Sequence, residues 1–151
     1  MERDDEDNVL IYADSILLID PRNIQAYNIK FQILTWKKDY SGALELVKSL
    51  EKTDDDYYVA KFGIGILSEK LGDTVTAKEY YQKSLNLINR EIESGNDDFN
   101  LWVDKTSLLT LLNKKDSANL ILDSLINENP DFEEILLKFK MADRNELLDF
   151  Y

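Results

Sequence analysis

The stretch Gly72-Asp73-Thr74-Val75-Thr76-Ala77 has a counterpart 34 residues earlier, Lys38-Asp39-Tyr40-Ser41-Gly42-Ala43, with Asp and Ala in register. A third copy ends at Ala118, 41 residues beyond Ala77, and the seven-residue excess falls at Gly95-Asn96-Asp97-Asp98. A repeat of this length means that one supersecondary unit is being stacked. The flanking residues say which unit. Tyr27, Phe31 and Leu34, then Ala43, Val47 and Leu50, then Ala77, Tyr81, Leu85 and Ile88, and finally Ala118, Leu122 and Leu125 recur at spacings of three and four. Each set makes one apolar helix face. Val9, Tyr12, Ala13, Ile16 and Ile19 make a further one ahead of the repeats. Alternation of period two is never sustained. Pro21 and Pro130 end the helices before them, because the residue before a proline is steered away from α geometry. Asp39 and Asp73 stand where an N-cap carboxylate accepts free backbone N–H groups.

Composition narrows the function classes. The 151 residues carry 18 Lys+Arg against 30 Asp+Glu, a net charge of −12, and 44% are hydrophobic, enough for a packed core. There is no Cys and no His. Disulfides, Cys-ligated metals, a thiol nucleophile and the commonest general base are therefore missing. No enzyme activity, cofactor or metal is expected. The acidic balance opposes nucleic-acid binding, which draws its affinity from Lys and Arg. The apolar runs of about five residues are far short of the roughly 18 that span a bilayer, so no membrane insertion is expected. Met1 is followed by acidic residues rather than by a basic start and apolar centre, so a cytoplasmic location is the expectation. An exported or lipid-anchored mature fragment stays open.

The residues in register resemble the tetratricopeptide repeat. The middle copy offers Ile64, Gly65, Gly72, Asp73, Ala77, Tyr81 and Ser84; the first offers Tyr27, Leu34, Asp39, Tyr40 and Ala43; the third offers Trp102, Thr106, Leu109, Ala118 and Pro130. Phe31 replaces a small residue, Lys61 replaces an aromatic one, and Leu50 and Leu125 replace late small ones. The resemblance implies an all-α, right-handed α-solenoid of about three such hairpins in one domain, 1–151. The repeats would be about 24–56, 57–94 and 99–131, after a lone helix at about 5–19 and before a cap at 132–151. Paired helices are expected at about 24–37 with 40–53, 57–71 with 74–93, and 99–112 with 115–127. Gly65 against Ala77, and Thr106 against Ala118, would let helices approach closely. Tyr27, Tyr81 and Trp102 would fill the spaces between hairpins, while Phe31 opposite Ala43 would force local repacking.

Several chemical motifs have blander readings. Gly63-Ile64-Gly65 follows no strand and lacks the lysine of a phosphate loop, so close helix packing explains it. Asp54-Asp55-Asp56 and Asn96-Asp97-Asp98 lack the glycine and bidentate glutamate of a calcium loop and read as acidic, helix-capping turns. The run from Glu2 to Asp7 reads as a solubilising end.

On the family's superhelix the first helix of each hairpin faces the concave side. The resemblance places Gln25, Asn28, Ile29, Gln32, Thr35 and Trp36 there, then Val59, Phe62, Ile66, Glu69 and Lys70, then Asn100, Val103, Asp104, Ser107 and Leu111. The candidate peptide-binding groove is Gln25, Asn28, Gln32, Trp36, Phe62, Ile66, Asn100, Val103, Asp104 and Ser107. Side-chain amides both donate and accept, which suits the backbone of an extended peptide. Phe62, Ile66 and Trp36 could take its apolar side chains. The family's carboxylate clamp uses Lys, Asn and Arg, where this chain has Asn28, Gln32, Gly63 and Asp104, so that clamp is absent. The implied function is a non-enzymatic scaffold that binds a protein or extended peptide. A secretion-type chaperone and a self-associating, homo-oligomeric subunit are the alternatives. A further alternative is that the groove only packs against the chain's own C-terminal helices. There, Asp143 and Glu146 resemble a capping box, and Leu147, Leu148, Phe150 and Tyr151 make a poor exposed tail. That helix is expected to fold back against the third hairpin or its capping helix and close the open end of the array; a dimer contact or insertion into a neighbour's groove is the alternative.

Overall fold

The computed structural model describes residues 3–21, 23–53 and 55–151, without the side chains of 3–6, 24 and 53. Met1 and Glu2 of the acidic start, and Asp54 of the acidic turn, lie outside the described residues. These comprise nine α-helices in chain order, α1 (Arg3–Ile19), α2 (Ile24–Trp36), α3 (Tyr40–Thr53), α4 (Tyr58–Lys70), α5 (Thr74–Glu93), α6 (Phe99–Leu111), α7 (Lys115–Glu128), α8 (Glu133–Met141) and α9 (Arg144–Phe150). A 3-10 turn, Pro130–Phe132, precedes α8, and no strand occurs among the described residues. Each helix from α1 to α7 packs on the next, and α9 turns back onto α6.

Three hairpin turns share one backbone geometry. Lys38, Gly72 and Asn113 adopt left-handed conformations, with φ of 57°, 87° and 60°. The amide of the following residue reaches back across each helix end: Asp39 to the Leu34 carbonyl, Asp73 to Ser68 and Lys114 to Leu109, each at 2.8 Å. These bonds satisfy carbonyls the helix leaves free. Only the middle turn supplies glycine, which adopts positive φ without steric cost. Asp39 and Asp73 then cap the next helices, their carboxylates accepting from the amides of Gly42 at 2.9 Å and Thr76 at 3.0 Å. The loop before α6 is capped likewise by Asp98, which accepts from the Asn100 amide at 2.7 Å.

Close approach is concentrated between α4 and α5. A Cβ on Gly65 would stand 2.5 Å from two Tyr81 ring carbons and 3.3 Å from the Ala77 carbonyl oxygen. Tyr81 is fully enclosed there, with its ring edge-on to Phe62. Gly63, two residues earlier, faces Val47 of α3 at an ordinary 3.4 Å. Lys61 is buried where an aromatic was expected. Its ammonium donates to Glu51 at 3.0 Å and Asp55 at 2.7 Å, and Tyr80 donates to the same Glu51. Burial pulls the Lys61 pKa down, but these hydrogen bonds outweigh it and the net shift is upward.

Two expectations are corrected. The anticipated inward face of α1 is mostly outward: Ala13 is buried, but Tyr12, Ile16 and Ile19 are 69%, 43% and 87% exposed. The helix instead meets the body through Ala13 and Leu17, and the exposed Asp14–Lys30 and Asp7–Lys37 ion pairs join it to α2. At the other end, α8 covers α7 with Leu136, which packs among Leu122 and Leu125. The last helix folds back onto the third hairpin as expected, through α6, but leaves that end to α8.

Candidate functional site

The first helices of the hairpins, α2, α4 and α6, present Phe62, Ile66 and Glu69 on one face of α4, and Ser107 and Leu111 on one face of α6. The chain itself occupies the space between these two helices. Arg144, at the start of α9, pairs with Glu69, and its Nε donates to the Leu111 carbonyl at 3.1 Å. Leu147 is buried in the cluster of Phe62, Ile66, Tyr81, Leu108 and Leu111. Tyr151 lies on Phe62, with ring centroids 5.0 Å apart, and donates its hydroxyl to Ser107 Oγ at 3.0 Å. Contacts at Glu69 and Leu111 thus come first, and those at Phe62 and Ser107 come last. This order makes α9 antiparallel to α4 and α6.

Local sequence explains this placement. Asp143 accepts from the Asn145 and Glu146 amides at 2.8 Å while Glu146 accepts from the Asp143 amide at 2.8 Å, a complete capping box that starts a helix of only seven residues. Arg144, Leu147 and Tyr151 fall at i, i+3 and i+7, so they share one face. Ala142, just before, is held by a hydrogen bond from Lys115 Nζ to its carbonyl.

The Glu69 carboxylate is the electrostatic centre of the seat. Its side chain is 7% exposed, it accepts from the Tyr81 hydroxyl at 2.7 Å, and Arg144 neutralises it. Burial, then the bond to Glu69, push the Tyr81 pKa far above that of a free phenol. Burial likewise pushes Tyr151 up to about 12. At the opposite end of α6, Asp104 accepts from the Tyr58 hydroxyl at 3.1 Å. Burial raises the Asp104 pKa against the lowering effect of that bond, and nearby Asp98 adds to the rise.

Beyond Tyr151 the face opens into a pocket of about 290 Å³ between α2 and α4. Tyr27, Phe31, Val47, Leu50, Tyr57, Phe62 and Ile66 line it, and Asn28 brings one of its few polar side chains. The pocket lies beside Phe31, whose ring stacks on Tyr27 with centroids 6.2 Å apart.

The ten groove residues therefore divide. Gln25, Asn28, Gln32 and Trp36 are exposed along α2, as is Asn100 on α6; Val103 and Asp104 are half-buried; Phe62, Ile66 and Ser107 are buried. The structure brings Phe62, Ile66 and Ser107 together under α9. Gln32 and Trp36 line neither the pocket nor that seat. The chain matches no protein-family model and no curated protein sequence. Sequence reasoning missed Tyr58 and the partners of Lys61. It found α9 through its capping box and apolar residues, and its return to the third hairpin, but not the α4 side of its seat. The signal for that seat was Glu69, an acid flanked by apolar positions on the face of α4.

Among the described residues, no group of three acidic side chains is placed to hold a metal ion. Asp55 is engaged by Lys61, and Asn96 bonds to Glu91 and to the Asp98 amide. No helix among the described residues is long and apolar enough to cross a membrane.

Proposed function

We propose that this chain is a tetratricopeptide-like scaffold, a right-handed superhelix of three hairpins whose concave face binds a protein segment without catalysing a reaction. The observation that carries this reading is the open apolar pocket between α2 and α4, bordered by the exposed amide of Asn28. Pockets with an apolar lining and few polar groups are where ligands dock. The three superimposable turns, with their offsets of 34 and 41 residues, support the repeat assignment. Fold analogy alone names no ligand.

Asn28 and Val59 line the pocket and are exposed, so charge there leaves the core intact. Asn28→Glu with Val59→Glu is expected to abolish capture of a partner found by cross-linking in the native cell, at unchanged helicity. Unaltered capture would place the site elsewhere. A second reading, self-association, is favoured by the exposed Tyr12, Ile16 and Ile19 of α1. Light scattering that shows a monomer at all concentrations would remove it.

A further inference from the structure

The α9 seat is built for a helix, and the helix in it is short, seven residues. Leu147 is its one fully buried side chain; Leu148 is half-buried against the same cluster, and Phe150 is 58% exposed with its ring against Phe139 of α8. Short, partly exposed segments with few buried contacts open at low free energy. The seat is also longer than its occupant. It runs past Tyr151 into the pocket beside Tyr27 and Phe31, which α9 leaves unfilled.

We propose that α9 is a displaceable internal ligand, and that an amphipathic helix of a partner protein takes its place between α4 and α6 and fills the pocket beyond. The inference rests on the groove reading above and specifies the partner's chemistry. Glu69 requires a cation, because removing Arg144 leaves a buried carboxylate with only the Tyr81 hydroxyl, and a buried charge without its partner is strongly unfavourable. The Phe62–Ile66–Leu111 surface requires a branched aliphatic residue three positions on. Ser107 and Phe62 require an aromatic ring, with a polar atom at its tip, four positions later. The pocket requires one more large apolar residue after that ring. This last contact is absent from the α9 seat in the structure, and it is what the incoming helix adds.

A second copy is a poorer occupant than a partner. Only Ala142 and Asp143 separate α9 from α8, and Ala142 is tied down by Lys115. α8 is anchored by Leu136 in the core and by the Lys140–Asp123 pair. Exchange between copies would have to unseat α8 as well.

The test uses the full chain and a fluorescent synthetic peptide of residues 142–151, alone or lengthened by a glycine and a phenylalanine, read by anisotropy. Leu147→Asp releases α9. Arg144→Ala with Tyr151→Ala is expected to do so while keeping the fully buried Leu147, should the first variant fail to fold. Both are expected to bind the peptide at least about tenfold more tightly than the unaltered chain, because the competing internal helix is gone. The lengthened peptide is expected to bind about tenfold tighter again, as burial of one large apolar side chain implies. That gain is expected to vanish in Asn28→Glu with Val59→Glu. Equal or absent binding to released and unaltered chains would overturn the proposal, as would dimers of the released variants in light scattering. In the unaltered chain, α9 amides are expected to exchange faster than those of α5, and equal protection would overturn it too. Should these fail while partner capture still depends on Asn28 and Val59, α9 is a permanent wall and the groove reading stands.

Discussion

Gly65→Ala tests the packing on which the candidate site depends. In a solvent-exposed helix this change stabilises by about 1 kcal/mol, because alanine loses less backbone entropy on folding. Here the new methyl would lie 2.5 Å from Cδ1 and Cε1 of Tyr81. The ring cannot swing away: it is fully enclosed, and its hydroxyl is bonded to Glu69. Overpacking of this kind costs about 1–3 kcal/mol, and a tethered ring belongs near the top of that range. The net expectation is a loss of about 2 kcal/mol, or about 4–8 °C in Tm for a domain of this size. Urea unfolding followed by far-ultraviolet circular dichroism should show a lower midpoint at unchanged slope. Gly63→Ala is the internal control, two residues away on the same helix. Its methyl would meet Val47 at 3.4 Å, so it should be neutral or stabilising by up to about 1 kcal/mol. A Gly65→Ala protein as stable as the unaltered one would refute the reasoning, since α4 and α5 could then separate without cost.

Three other substitutions probe independent features. Lys38 holds a left-handed conformation with a Cβ, so Lys38→Gly should stabilise by about 0.5–1 kcal/mol, read as a higher urea midpoint; a lower midpoint would show that the turn is not strained. Lys61→Ala should cost about 2–3 kcal/mol by leaving Glu51 half-buried without its cation, whereas Lys61→Met with Glu51→Leu should be close to neutral in calorimetry. Asp104→Asn keeps an acceptor for Tyr58 and removes a carboxylate whose folded pKa lies above its unfolded one. Between those values the folded state binds more protons, so Asp104 costs stability as pH rises through its folded pKa. The variant should therefore melt higher than the unaltered chain at pH 7, with the gain shrinking toward pH 4 and below. A gain that does not depend on pH would refute that account.

The repeat boundaries were legible because they rest on local chemistry. Asp39, Asp73 and Asp98 cap through bonds spanning two or three residues, and Gly72 marks its turn by conformation alone. The helix at 99–112 was legible for the same reason and begins at Phe99. Long-range choices were not. The periodic pattern of α1 cannot say which of two apolar edges turns inward; in the structure Ala13 and Leu17 do, and that choice rests on long-range packing. The destination of α9 depends on Arg144 finding Glu69, 75 positions earlier. No period or cap encodes such a pairing. Groove residues were placed on the right helices, and packing of the groove against the chain's own C-terminal helices was an open reading, but the pattern could not single out Phe62, Ile66 and Ser107 as the ones covered.

That coverage changes what affinity at this face means. An internal helix seated in all but about 1% of molecules weakens any competing ligand about a hundredfold, or about 2.7 kcal/mol. A partner that only reproduced the contacts of Arg144, Leu147 and Tyr151 would meet that handicap with nothing to offset it, because α9 makes the same contacts without the entropy loss of association. The unfilled pocket supplies the difference. One large apolar side chain buried there contributes about 1.5–3 kcal/mol, the same size as the handicap. The two features, a short helix with one fully buried side chain and a pocket directly beyond its last ring, together make selectivity. Segments lacking the extra apolar residue are excluded by α9, and segments that carry it compete on even terms. A carboxylate at Glu69 adds the second filter, since a helix without a cation at the matching position would strand that charge.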